Sequence, residues 1–132
     1  RKEPSMKRIA LITTNKILAQ SLAATIKALA DARFELLLLF DPRQTSLDAE
    51  ILKIDVIVID LVNIRAEEKK NALKFCKMLH ETLSNRHLLL LFSQDDKAAR
   101  KMAIEAKKAQ IIDDFVFYDT SLEYLFAKLA AF

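Results

Sequence analysis

Five apolar segments of strand length alternate with amphipathic segments of helix length, and this alternation leaves the chain few folds to choose from. Residues 8–13 read as the first strand. A helix over 16–30 follows, capped by Asn15 and carrying Leu18, Leu22, Ile26 and Leu29 on one face. Residues 34–40 read as the second strand; Asp41-Pro42 opens a turn, and 46–53 make a short helix capped by Thr45 or Ser46. The third strand, 54–60, leads into a long helix over 67–83 that buries Leu73, Cys76, Leu79 and Leu83 or their neighbours. The fourth strand, 87–93, precedes a helix over 97–110 capped by Asp95 or Asp96. The fifth, 115–118, precedes a final helix to residue 131 capped by Thr120 or Ser121.

Five such units in series imply an α/β protein, a parallel sheet with helices on both faces and right-handed crossovers. The near-continuous apolar strands fit burial on both faces, as parallel sheets require. The common doubly wound, flavodoxin-like arrangement of five strands has the order 2-1-3-4-5, which puts strand three at the centre beside strands one and four. Chemistry in such sheets gathers at the carboxyl ends of the strands. That rim holds Thr13-Thr14-Asn15, Asp60-Leu61-Val62-Asn63, Ser93-Gln94-Asp95-Asp96 and Tyr118-Asp119-Thr120.

Composition removes several function classes. A length of 132 residues implies one domain, expected over residues 6–132, with 1–5 a tail, a linker remnant or residues placed ahead of Met6. The 52% hydrophobic and 30% charged fractions describe a globular chain rather than a disordered one. The longest apolar runs, 36–40 and 88–92, fall far short of the ~20 residues of a membrane helix. One cysteine, Cys76, excludes an intrachain disulfide and fits a reducing cytoplasm, the expected location. Residues 1–3 supply +1 of the net charge of +3, and the remainder is too small to imply nucleic-acid binding. The chain contains no glycine, where average usage predicts about nine. Glycine-built dinucleotide and P-loop sites are therefore excluded, and flavin binding is disfavoured.

Among single residues, Asp60 stands out because it ends the run Asp55-Val56-Ile57-Val58-Ile59-Asp60, a strand built to deliver a carboxylate to a crevice. Its simpler use is to cap the following loop by accepting N–H bonds from Val62 or Asn63. Ser93 in turn could satisfy only a backbone group. His80 and His87 are seven apart without a Cys/His cluster, so no structural metal site is expected. Cys76 falls on the apolar stripe and reads as a small buried hydrophobe. A G-x-S-x-G nucleophile turn is impossible without glycine, and no enzyme chemistry is expected. Lys97, Arg100, Lys101, Lys107 and Lys108 face only Glu105 in their helix, either a solvated face or an interaction surface.

Four segments together resemble the receiver domain of two-component response regulators, over about residues 6–132. "KRIALITTN" resembles the first receiver strand and "DVIVIDLVN" the third, whose phospho-accepting aspartate falls on Asp60. "LLLLFSQ" resembles the fourth strand, whose switch hydroxyl falls on Ser93, and "DDFVFYDTS" the fifth, whose aromatic falls on Phe115. The acidic pair that ends the first receiver strand is replaced by Thr13 and Thr14. The fifth-strand lysine is replaced by Tyr118 and its following proline by Asp119, and the loop 61–68 lacks the usual proline and glycine.

These departures bear on the chemistry that the resemblance implies. Phosphoryl transfer onto a carboxylate depends on positioned cations, and Mg²⁺ prefers octahedral oxygen ligands with carboxylates among them. Two threonine hydroxyls offer little to a metal, and the lysine charge is gone. The resemblance thus implies an atypical receiver, acting through protein contacts, with phosphorylation at Asp60 impaired or absent and no cofactor. The alternative is a conventional receiver phosphorylated on Asp60 by a histidine kinase, with Mg²⁺ held by Asp60 together with Asp95, Asp96 or Asp119. In either case the resemblance points to the helix 97–110, strand 115–118 and helix 120–131 as a dimer or partner face, with Tyr118 and Tyr124 as aromatic anchors.

Overall fold

A computed structural model describes residues 7–28, 34–39, 53–62, 65–83 and 85–132. The five apolar runs become β1 (Lys7–Ile12), β2 (Phe34–Leu39), β3 (Val56–Asp60), β4 (His87–Phe92) and β5 (Asp114–Phe117). They form one sheet of order β2-β1-β3-β4-β5 with every neighbouring pair parallel. The described helices are α1 (Lys16–Ala28), α2 (Ala66–Thr82), α3 (Lys97–Lys108) and α4 (Leu122–Ala131). The short helix expected over 46–53 lies outside the described residues except for Lys53, which sits in a turn. Residues 1–5 and Leu29 lie outside them as well.

The period of two along each strand divides the core between the two faces of the sheet. Ile9, Leu11, Val56, Val58, Leu89, Leu91 and Val116 pack with Leu18 and Leu22 of α1 and with Leu125, Phe126 and Leu129 of α4. On the other face Ala10, Ile57, Ile59, Leu90 and Phe92 meet Cys76 and Leu79 of α2 and Ala99, Ala103 and Ala106 of α3. All five residues of β3 are buried, as its central place demands. Leu73, expected in the core, is only half-buried and packs against its edge.

The caps fall where side-chain oxygens can reach the first free N–H groups. Asn15 Oδ1 accepts from Leu18 N at 3.0 Å. Asp96 rather than Asp95 caps α3, accepting from Ala99 N at 3.0 Å. Ser121 caps α4, accepting from Tyr124 N at 3.2 Å, while the Thr120 hydroxyl donates back to the Phe117 carbonyl at 2.7 Å. Helix α3 stops two residues before the expected 110 because Gln110 turns to φ 62. There the N–H of Gln110 reaches Lys107 O and the N–H of Ile111 reaches Ala106 O, at 3.0 and 2.9 Å, a Schellman stop made without glycine. Lys53 and Asn85 also have positive φ, at 55° and 65°. The ammonium of Lys7 at the start of β1 donates to the carbonyls of Leu129, at 3.1 Å, and Phe132, placing a cation at the end of α4 where the helix dipole favours it.

Cys76 is fully buried, and burial pushes its thiol up to about 12. At pH 8 only about one thiol in ten thousand would then be ionised. An aromatic disulfide reagent is expected to label Cys76 no faster than the protein opens, with denaturant accelerating the reaction steeply. Labelling of the native protein at the rate of a free cysteine would contradict this.

Candidate functional site

Strand β3 ends at the carboxyl rim with Asp60, and β1 ends beside it just before Thr13. These two are the buried polar side chains among the described residues, 8% and 3% exposed. The Thr13 hydroxyl donates to Asp60 Oδ2 at 2.6 Å, and the Val62 N–H donates to Oδ1 at 2.9 Å. Thr13 Oγ1 itself accepts the N–H of Asn15 at 2.9 Å. Asn15 therefore caps α1 with its side-chain oxygen while its backbone orients the hydroxyl that holds Asp60. Its Nδ2 lies 3.4 Å from the hydroxyl of Tyr118 in the turn after β5. One polar chain thus links Asp60, Thr13, Asn15 and Tyr118 across three segments of the rim.

Burial raises the Asp60 carboxyl above its ordinary 3.8, and the hydrogen bonds from Thr13 and Val62 pull it partly back. No described cation forms an ion pair with it. Asp60 is consequently a desolvated carboxylate held by one hydroxyl and one peptide N–H.

Of the other sequence candidates, Tyr118 reaches this centre through Asn15, and the rest surround it without joining it. Thr14 is exposed and Ser93 half-buried. Tyr118, where the resemblance puts the receiver lysine, is 37% exposed. Strand β5 ends one residue earlier than expected, so Tyr118 stands in the turn. Asp119 Oδ1 accepts from Gln94 N at 3.4 Å, and Asp95 is exposed. Asp96, besides capping α3, forms an ion pair with Lys69 of α2. Among the described residues, no three His, Cys, Asp or Glu side chains are grouped to hold a metal ion. The described donor set at Asp60 fits Mg²⁺ poorly: it offers a single carboxylate where the ion takes several oxygen ligands.

Two arrangements escaped the sequence. The Lys69–Asp96 pair ties the first turn of α2 to the cap of α3, and no local spacing signals it. On the α3–β5–α4 face, Asp114 meets Lys107 at 3.1 Å and Lys128 at 2.6 Å. Burial works against the Asp114 carboxylate, but hydrogen bonds from Lys128, the Phe115 N–H and Lys107 outweigh it and lower the pKa. The Arg100 guanidinium lies 5.4 Å from the Phe117 ring, and Ile104 and Tyr124 are exposed nearby in sequence on α3 and α4.

No protein-family model and no curated protein sequence matches the chain. Its structure does match solved ones. The signal receiver domain of an HD domain-containing protein from Pseudomonas fluorescens Pf-5 superposes with a TM-score of 0.75 at 14% identity, covering 99% of this chain and 89% of that one. The chemotaxis protein CheY4 of Vibrio cholerae gives 0.72 at 18% identity, with 96% and 98% covered. The beryllofluoride-activated NtrC4 receiver domain, described as a dimer, gives 0.74 at 16% identity, with 96% and 95% covered. The chain has the CheY-like receiver fold, with the flavodoxin-like strand order expected from its sequence.

Proposed function

We propose that this is a receiver-type signalling domain that works through protein contacts, with phosphorylation at Asp60 impaired or absent. The observation that carries the reading is the Thr13 hydroxyl seated on the Asp60 carboxylate at 2.6 Å, where the receiver pattern has acids. A phosphoryl group transferred onto the Asp60 carboxylate would carry its negative charge into a buried place where no described cation is paired. Positioned cations supply most of the stabilisation in such transfers. The role is signalling rather than catalysis, without a cofactor, in the reducing cytoplasm that a lone buried Cys76 fits. None of the described helices is long and apolar enough to cross a membrane.

The partner face we assign is α3–β5–α4, through which the domain pairs with another protein or a second copy. Exposed Tyr118, Tyr124 and Ile104 supply anchors of the kind that dominate interface energies. The NtrC4 receiver dimer supports such use of this fold.

Incubation with acetyl phosphate and Mg²⁺, followed by intact mass, is expected to leave the protein unmodified. A gain of one phosphoryl group that disappears in Asp60→Asn would overturn the reading in favour of a conventional receiver. In a Mg²⁺ titration followed by amide NMR, the signals around Asp60 are expected to stay in place at millimolar metal.

A further inference from the structure

Helix α3 carries a second pattern besides the alanines that seat it on the sheet. Lys97, Lys101, Ile104 and Lys108 recur at spacings of four, three and four residues, so they share one stripe about three turns long. All four are exposed. The three lysines form no ion pair among the described residues, and neither does Glu105, the single acid of the helix.

The neighbouring β5 does not offset this charge. Its Asp114 is already shared between Lys107 and Lys128, so two cations meet one acid there. Lys128 Nζ also lies 5.6 Å from the centre of the Tyr124 ring, which joins that exposed aromatic to the same α3–β5–α4 face. Arg100 and Lys107 lie over the rings of Phe117 and Phe115, at 5.4 and 5.9 Å. Ile104 stands about one turn from each of them along α3. The stripe therefore runs beside β5 with one apolar side chain among its cations.

We infer that the occupant of this face is an acidic amphipathic helix of another protein, its carboxylates meeting Lys97, Lys101 and Lys108 and an apolar side chain meeting Ile104. The inference rests on the partner face proposed above and gives that partner a chemistry. A helix repeats its side chains at the same three- and four-residue intervals, so it can match the stripe along its length. Complementary charge then steers the encounter and selects the partner. A second copy of this chain does not supply that charge. In an isologous pair about the stripe, lysine would face lysine. No other described helix offers the acids: α1 has none, α4 has one, and the three glutamates of α2 are set among four lysines. A bare polyanion would use the lysines but leave Ile104 uncovered.

The test is a ¹⁵N amide titration of the protein with a lactam-constrained helical peptide that carries three glutamates and one leucine on a single stripe. Saturable shifts are expected along residues 97–108 and at Tyr124, with affinity falling as salt rises. The same peptide with glutamine in place of glutamate is expected to bind about tenfold more weakly. The double variant Lys101→Glu, Lys108→Glu should lose at least as much with the original peptide. A peptide with lysine in place of glutamate should recover binding to that variant, which separates charge pairing from a folding defect. Equal binding of the glutamine peptide, no recovery with the lysine peptide, or no saturable shifts would overturn the acidic partner. Tighter binding of a DNA duplex than of the acidic peptide would overturn it as well. Sedimentation of the protein alone distinguishes the chemistry of the partner from the face itself. Self-association abolished by Tyr124→Ala would overturn the acidic helix and leave the face as an interface between copies. Peptide shifts confined to another surface would overturn both.

Discussion

Truncating Phe92 to alanine is expected to cost about 3–5 kcal/mol of stability. Phe92 ends β4 and heads the fully buried side chains by volume. Its ring lies 5.3 Å from that of Phe115 and 5.7 Å from that of Phe117, the latter edge-on at 77°. Alanine would remove both ring contacts and leave a void between β4, β5 and α3. The surrounding helix contributes the small Ala99, Ala103 and Ala106 to the buried core, with Met102 only partly buried at its edge. The loss is large against the 5–15 kcal/mol of a typical domain. Urea unfolding checks it, with Ile17→Ala at a 75% exposed position as the comparison, expected to change stability by less than about 0.5 kcal/mol. A Phe92→Ala loss below about 1 kcal/mol would show that the three-ring cluster is loosely packed.

Replacing Thr13 by valine is expected to destabilise the protein by about 2 kcal/mol at neutral pH, since hydrogen bonds to charged groups are worth roughly 1.5–3. Valine keeps the shape but removes the donor to Asp60 and the acceptor for the Asn15 N–H. Thr13→Ser, which keeps the hydroxyl, should lose much less. The pH dependence carries a definite sign. Asp60 has a folded pKa above its ordinary 3.8, because burial outweighs the Thr13 and Val62 hydrogen bonds. The folded state therefore takes up its proton more readily than the unfolded state. The associated stability is fully present below 3.8 and is lost as pH rises through the folded value.

Removing the Thr13 donor raises that folded value further, so the valine penalty should be greatest at neutral pH and shrink in acid. Asp60→Asn removes the desolvated charge and should raise the neutral-pH melting temperature. In that background Thr13→Val should cost less than it does in the wild type. A penalty independent of pH and of residue 60 would mean that Thr13 acts through packing alone.

The sheet order was readable because each strand is an uninterrupted apolar run bounded by turn and cap residues. Strand ends were less so, and the physical reason is visible at Thr13 and Tyr118. Each still donates its N–H to a neighbouring strand, to Leu39 O at 3.2 Å and to Phe92 O at 2.7 Å, so the sequence pattern runs one residue past the regular ladder. The rim position of Asp60 followed from its place after Val56-Ile57-Val58-Ile59. Its partner did not: Thr14 or Tyr118 could as well have packed over the carboxylate, and only the path of β1 brings Thr13 there. The choice of Asp96 over Asp95 as cap rests on a single backbone turn.

The left-handed residues Lys53, Asn85 and Gln110 give this chain an unusual thermodynamic balance. Each carries a Cβ where glycine would sit without strain, at a cost on the order of 1 kcal/mol. A chain free of glycine also has fewer unfolded conformations to give up, about 0.4–1 kcal/mol for each site where another residue fits the native backbone. At Gln110 the corner is closed by the N–H bonds to Lys107 O and Ala106 O, so a partner arriving there meets a preorganised turn, and less of its binding energy is spent on ordering it.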